Sequence, residues 1–213
     1  MTCQHCCGAD SIFDKKSAKR DFKRYSRKGP NKTTRSLLSA LKKENIKGMS
    51  VLDIGGGIGV IQHELLKSGI VKTTSVDASS AYAEKAKSIA QENETLGQME
   101  FIFGDFVDCA PSIEEHDIVT LERVVCCYPD VRALLLNSTD KASKYYALVY
   151  PKDTFLSRFL IRLSHLYFLI KGNPFRTFVH SERVMQKIVT GQGFELIHKD
   201  GAGIWRILLF KRD

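Results

Sequence analysis

No stretch of this chain reaches the roughly 18 uncharged apolar residues that a membrane-spanning helix needs. Its first residues, Met1-Thr2-Cys3-Gln4-His5-Cys6-Cys7, contain no apolar run that could serve as a signal-peptide core. Secretion and membrane spanning are therefore disfavoured, and a cytoplasmic protein is expected. Internal repeats and low-complexity tracts are missing too, so neither a repeat architecture nor a disordered tract is expected. What remains is an ordinary globular composition, 43% hydrophobic and 26% charged. At about 150 residues per domain, 213 residues imply a single domain spanning 1–213.

Most of the chain also lacks a charge imbalance. Outside residues 14–35 the basic and acidic side chains balance, 22 of each, so the net charge of +8 belongs to one segment. Ten Lys/Arg stand there against Asp14 and Asp21. Residues 1–35 thus read as a basic N-terminal arm whose field would attract anionic acceptors, nucleic acid or acidic lipid headgroups. The six cysteines fall at Cys3, Cys6, Cys7, Cys109, Cys126 and Cys127. Without a secretory signal they are expected to stay thiols. Cys3-x-x-Cys6-Cys7 with His5 lacks the second pair that makes a zinc site specific, so no resident metal is expected.

Along the chain, apolar spacing marks an outlying helix over 15–28 stopped at Gly29-Pro30, and a second one to about Asn45, capped by Thr33 or Thr34, with Leu37, Leu38 and Leu41 turned inward. From Val51 onward short apolar runs alternate with helical patterns: strands over 51–54, 73–76, 100–103, 117–121 and 145–150, with helices after the first, second and fourth. A helix over 181–190 follows, then two strands, 194–199 and 204–210, joined by Asp200-Gly201-Ala202-Gly203 as a hairpin. Such alternation implies an α/β fold with a doubly wound parallel sheet and helices on both faces. Residues 151–180 form an insertion whose centre, 155–170, is apolar around most of a helix except for Arg158, Arg162 and His165. A lid packed on the domain is the expected place for it, with attachment to a membrane surface as the alternative.

The turn after the first strand, Gly55-Gly56-Gly57-Ile58-Gly59, can bring backbone N–H groups close to a ligand. A dinucleotide fingerprint would need a further glycine where Val60 or Gln62 stands, so it fails in both registers. Asp53-x-Gly55-x-Gly57-x-Gly59 at a strand end instead resembles motif I of the class I S-adenosylmethionine-dependent methyltransferases. The likeness runs over about 34–210. Asp77, followed by Ala78, sits where that family places the acid for the ribose hydroxyls, and a carboxylate's two oxygens suit a diol. Asp105 and Phe106, after the third strand, match its adenine site.

The resemblance implies a Rossmann-like seven-stranded sheet, order 3-2-1-4-5-7-6 with strand 7 antiparallel. It implies S-adenosyl-L-methionine as cofactor and S-adenosyl-L-homocysteine as product. Glu122 and Val124 should touch the cofactor, while Cys127 and Tyr128 should face the acceptor. In many relatives an N-terminal helix folds over the cofactor, which would bring Tyr25 to the site. A catalytic thiol at Cys126 or Cys127 competes with plain burial of small side chains. His180, just before the sixth helix, is the candidate general base if the insertion lies over the acceptor.

The residues after the fourth strand lack both the Asn/Asp-Pro-Pro-aromatic signature of base-amine methylation and the Pro-Cys of cytosine methylation, which disfavours nucleic acid as acceptor. A small-molecule acceptor methylated on oxygen or nitrogen is expected. The competing function is a cofactor-binding protein whose basic arm holds RNA or an anionic membrane. The chain is similar to small bacterial members of the family and, more faintly, to magnesium-protoporphyrin carboxyl methyltransferases.

Overall fold

A computed structural model describes residues 4–213, with side chains from residue 8 onward. The cluster of Cys3, Cys6 and Cys7 with His5 lies outside the described side chains. In chain order the elements are α1 (Gln4–Ile12), α2 (Lys15–Lys28), α3 (Lys32–Leu41), β1 (Ser50–Ile54), α4 (Val60–Leu66), β2 (Lys72–Asp77), α5 (Ser80–Glu92), β3 (Met99–Phe103), α6 (Phe106–Cys109), β4 (His116–Glu122), α7 (Val131–Asp140), β5 (Ala142–Pro151), α8 (Phe155–Ile170), α9 (Glu182–Gly191), β6 (Glu195–Ala202) and β7 (Trp205–Lys211).

The sheet runs β3-β2-β1-β4-β5-β7-β6, parallel except for β7, which pairs antiparallel with both neighbours. Period-two alternation in β5 shows how its two faces are filled. Tyr146, Leu148 and Tyr150 join Leu134 and Leu135 of α7 and Met185 and Val189 of α9 on one side. Tyr145, Ala147 and Val149 join Leu37, Leu38 and Leu41 of α3 and Ile61 and Leu65 of α4 on the other. β1 and β4 are neighbours while the next strands run outward in opposite directions, so a crevice opens at their carboxyl ends.

Three local details differ from the sequence reading. α3 is capped by Asn31, whose Oδ1 accepts from the N–H groups of Thr33 and Thr34 at 2.9 and 3.1 Å, and the helix ends at Leu41. The two threonines were expected as caps, but their hydroxyls point elsewhere, as shown below. α1 lacks an apolar period and was not anticipated. β6 extends through Ala202, leaving Gly203-Ile204 as the turn into β7.

Candidate active site

The crevice holds a cavity of about 580 Å³, within the range usual for small-molecule sites. Its floor is the glycine turn. Gly55 sits at φ +67°, and a Cβ there would overlap Val124 Cγ2, so the turn after β1 and the loop after β4 touch backbone to side chain. Gly56 was not singled out from sequence, yet a Cβ on it would meet the Ser75 hydroxyl and the Gln62 amide. Gly57 donates its N–H to Asp77 Oδ2 at 2.8 Å, and Ser79 donates to Oδ1 at the same distance. Asp77 thereby ties the turn after β1 to the turn after β2. Each of its oxygens retains a second lone pair for a further donor. Burial raises the Asp77 pKa, and the two N–H groups oppose the rise. Asp53 is buried beneath the turn, where desolvation pushes its carboxyl up to about 8 against the bond it accepts from Thr120 Oγ1 at 2.6 Å. Gly59 caps α4, and Ala78 lines the cavity wall beside Asp77.

Asp105 does two things at once. It caps α6 by accepting from Val107 N–H at 2.9 Å, and it accepts from the Tyr128 hydroxyl at 2.8 Å across the cavity. Phe106 is built into the main core and also lines the cavity. Glu122, at the end of β4, is held from the arm. Thr34 Oγ1 donates to its carboxylate at 2.7 Å, and Thr33 Oγ1 stands 2.7 Å from the same Oε1. Next to it Arg123 adopts a left-handed backbone, φ +64°, rare for a residue with a side chain. Its guanidinium donates to Thr33 Oγ1 at 2.8 Å and lies 4.7 Å from the Trp205 ring centre, a cation–π distance. Arg123 lies inside the 122–124 run expected at the cofactor, but Thr33, Thr34 and Trp205 were not foreseen as site residues. Their partners are about 90 positions away in the chain, and no local spacing betrays them.

The arm does cover the cavity, but not through Tyr25. That hydroxyl donates to Glu64 of α4 at 2.8 Å, and Tyr25 is absent from the cavity wall. Phe13, Asp21, Arg24 and Asn31 line it instead. Asp21 accepts from Tyr82 of α5 at 2.6 Å, and Lys85 stacks on Phe22, which fixes the face that α2 presents. His180 also lies outside the wall. Its Nε2 donates to the Tyr128 carbonyl at 3.0 Å and its ring stacks on Phe178, so it supports the 125–128 turn from behind. Burial lowers its pKa. Cys127 and Tyr128 do face the cavity. The Cys127 thiol is held up well above its ordinary value by Cys126, whose sulfur is 3.8 Å away, and by burial, which disfavours a thiolate.

Residues 51–140 match a family model described as a methyltransferase domain. No curated protein sequence matches the chain. Among solved structures, magnesium protoporphyrin IX methyltransferase from Synechocystis PCC 6803, with S-adenosylhomocysteine bound, superposes with a TM-score of 0.75 at 21% identity, covering 96% of this chain and 98% of that one. An O-methyltransferase family protein from Burkholderia thailandensis gives 0.67 at 14%, over 84% and 56% of the two chains. An O-methyltransferase family 2 protein from Planctomyces limnophilus DSM 3776, in complex with apigenin, gives 0.61 at 13%, over 87% and 63%. At these identities the likeness carries the fold, and the strand order is the one expected.

Proposed function

We propose that this chain is a class I S-adenosylmethionine-dependent methyltransferase, a reading supported by the methyltransferase-domain match over 51–140 and by the fold, and that the methyl group goes to an anionic oxygen on a small, largely apolar acceptor. The observation that carries this is the lining of the cavity. Among the described residues there it has no histidine or lysine, and every acid on it already accepts a hydrogen bond: Asp21, Asp53, Asp77, Asp105 and Glu122. Asp53 and Asp77, the two whose carboxyls burial raises, are already engaged by Thr120 and by the Gly57 and Ser79 N–H groups, which suits them to shaping the cofactor site rather than to taking an acceptor's proton. An acceptor that arrives already ionised needs no base. Arg24 and Arg123 supply positive charge, while Phe168, Phe175 and Trp205 supply apolar wall. The neighbours named as O-methyltransferases support oxygen as the accepting atom.

The donor set fits the cofactor. Asp77 would hold the ribose hydroxyls, the 55–59 turn would offer its N–H groups, and Asp105 with Phe106 would take the adenine. When bound, S-adenosylmethionine supplies a methyl group on positively charged sulfur, electrophilic without further activation. The chain's own part is to align the acceptor and exclude water, with α1 and α2 closing one side and the loop after α8 another.

With a series of phenols or carboxylic acids of differing acidity, the pH midpoint of turnover should move with the acceptor's own pKa. An invariant midpoint would reveal an enzymic base, and turnover confined to amines would overturn the reading. S-adenosylhomocysteine at 100 times its dissociation constant should add about 2.7 kcal/mol of stability, seen as a raised melting temperature, while NAD should add nothing. Asp77→Ala should weaken S-adenosylhomocysteine binding by about 1.5–3 kcal/mol in calorimetry, the scale of hydrogen bonds to a charged group. Unchanged affinity would place the ribose partner elsewhere.

A further inference from the structure

A helix packed on a globular domain normally turns its apolar stripe inward and its polar side chains to water. α8 is the reverse. Toward the protein it presents Ser157, Ile161, Ser164, His165 and Phe168, three of them polar. Ser164 Oγ lies 2.9 Å from Thr177 Oγ1, His165 Nε2 accepts from the Thr177 N–H at 3.1 Å, and Phe168 meets Phe175 edge-on. The opposite face is apolar and open: Phe155 is 85% exposed, Leu163 48%, Leu166 54% and Ile170 75%. The sequence reading grouped His165 with Arg158 and Arg162 in one polar stripe and expected the helix to pack on the domain as a lid; it does pack there, with His165 turned toward the domain and much of the apolar surface left open.

At 100° per residue, Arg158 and Arg162 stand on one flank of the apolar face. From 154 to 181 the chain carries Arg158, Arg162, Lys171 and Arg176 and no acid, although Asp153 just before it pairs with Arg158 at 2.8 Å. Ser11 of α1 is hydrogen-bonded to Asn173, which ties the base of the basic arm to this end of α8.

We propose that α8 seats on an anionic lipid bilayer, with its apolar face in the boundary between headgroups and acyl chains and its arginines among the phosphates. An apolar face flanked by basic side chains that can extend to the headgroups is the pattern of an interfacial helix. α8 is 16 residues long, and among the described residues no helix is long and apolar enough to cross a membrane, so it lies on the surface. A second copy is the weaker occupant. A two-fold pairing of this face would bring its basic flanks together, with no acid between 154 and 181 to neutralise them. Seating would also put the cavity wall at Phe168 beside the lipid.

The full chain should float with vesicles of phosphatidylcholine mixed with phosphatidylglycerol, release as salt rises, and bind pure phosphatidylcholine at least tenfold more weakly. Phe155→Ser/Leu163→Ser/Ile170→Ser should lose binding tenfold or more. Arg158→Gln/Arg162→Gln should lose about tenfold on the mixed vesicles alone, on the scale of the attraction of a basic residue near an anionic surface. The S-adenosylhomocysteine melting shift should be unchanged in both, which certifies that they fold. As a check independent of deletion, Leu166→Trp fluorescence should shift to the blue on mixed vesicles. Failure of the wild type to bind, or equal binding by the triple variant, would overturn the proposal. So would a wild-type dimer that the triple variant converts to monomer without any vesicle binding.

Discussion

Gly55→Ala is expected to lose more than a hundredfold in affinity for S-adenosylhomocysteine. Two effects meet at this position. The residue stands at φ +67°, where a Cβ costs about 1–2 kcal/mol against the left-handed backbone. That Cβ would also overlap Val124 Cγ2. Val124 cannot simply withdraw, because Arg123 before it is itself in a left-handed conformation, fixed by Thr33 and Trp205. The loop after β4 must shift, and with it the cavity wall from Glu122 to Tyr128. The backbone strain itself falls on stability, with or without ligand, but restoring the displaced wall on binding at about 3 kcal/mol corresponds to a little over two decades in the dissociation constant. Calorimetric titration measures it, and Gly203→Ala is the control. That residue has a similar φ of +61° but nothing within 4 Å of the added methyl group, so it should show strain without loss of affinity. Equal affinities for Gly55→Ala and wild type would mean that the 55–59 turn does not shape the cofactor site.

Glu122→Ala should destabilise the protein by about 2–4 kcal/mol, the largest stability effect expected among the cavity acids. Thr34 is 1% exposed and its hydroxyl donates only to Glu122; without that carboxylate a buried donor is left unpaired. Arg123 loses a carboxylate 3.9 Å from its Nε, an atom with no hydrogen-bond partner of its own. Since Asn31 and Thr34 line the cavity, the start of α3 should loosen and cofactor affinity should fall with stability. Glu122→Gln keeps an acceptor oxygen and should cost less than half as much. The denaturant midpoint reads both, and a change within about 0.5 kcal/mol for Glu122→Ala would show that the arm is held by other contacts.

Whatever depended on neighbours in the chain could be read directly. Glycines at 55, 57 and 59 are needed because the backbone there turns left-handed between a strand and a helix. Asp53, Asp77, Asp105 and Glu122 stand at strand ends because apolar runs stop there, and those ends converge in any sheet of this order. The antiparallel last strand follows from the same local punctuation, while the strand order came from the family resemblance that the motifs at those turns carry.

Only the tertiary structure decided which way each side chain looks once the elements meet. Tyr25 and Arg24 are consecutive on one helix, and only the packing of α2 on α5 sends Arg24 to the cavity and Tyr25 to Glu64. Thr33 and Thr34 resemble caps, yet Asn31 takes the N–H groups and their hydroxyls reach Glu122, 88 or more residues along the chain. For α8, helical period marked a polar side and an apolar side without stating which meets the domain. The hydrogen bonds of Ser164 and His165 to Thr177 settle the matter, and the apolar side faces outward. Hydrophobic period is a property of the chain alone, whereas burial is a property of what packs against it.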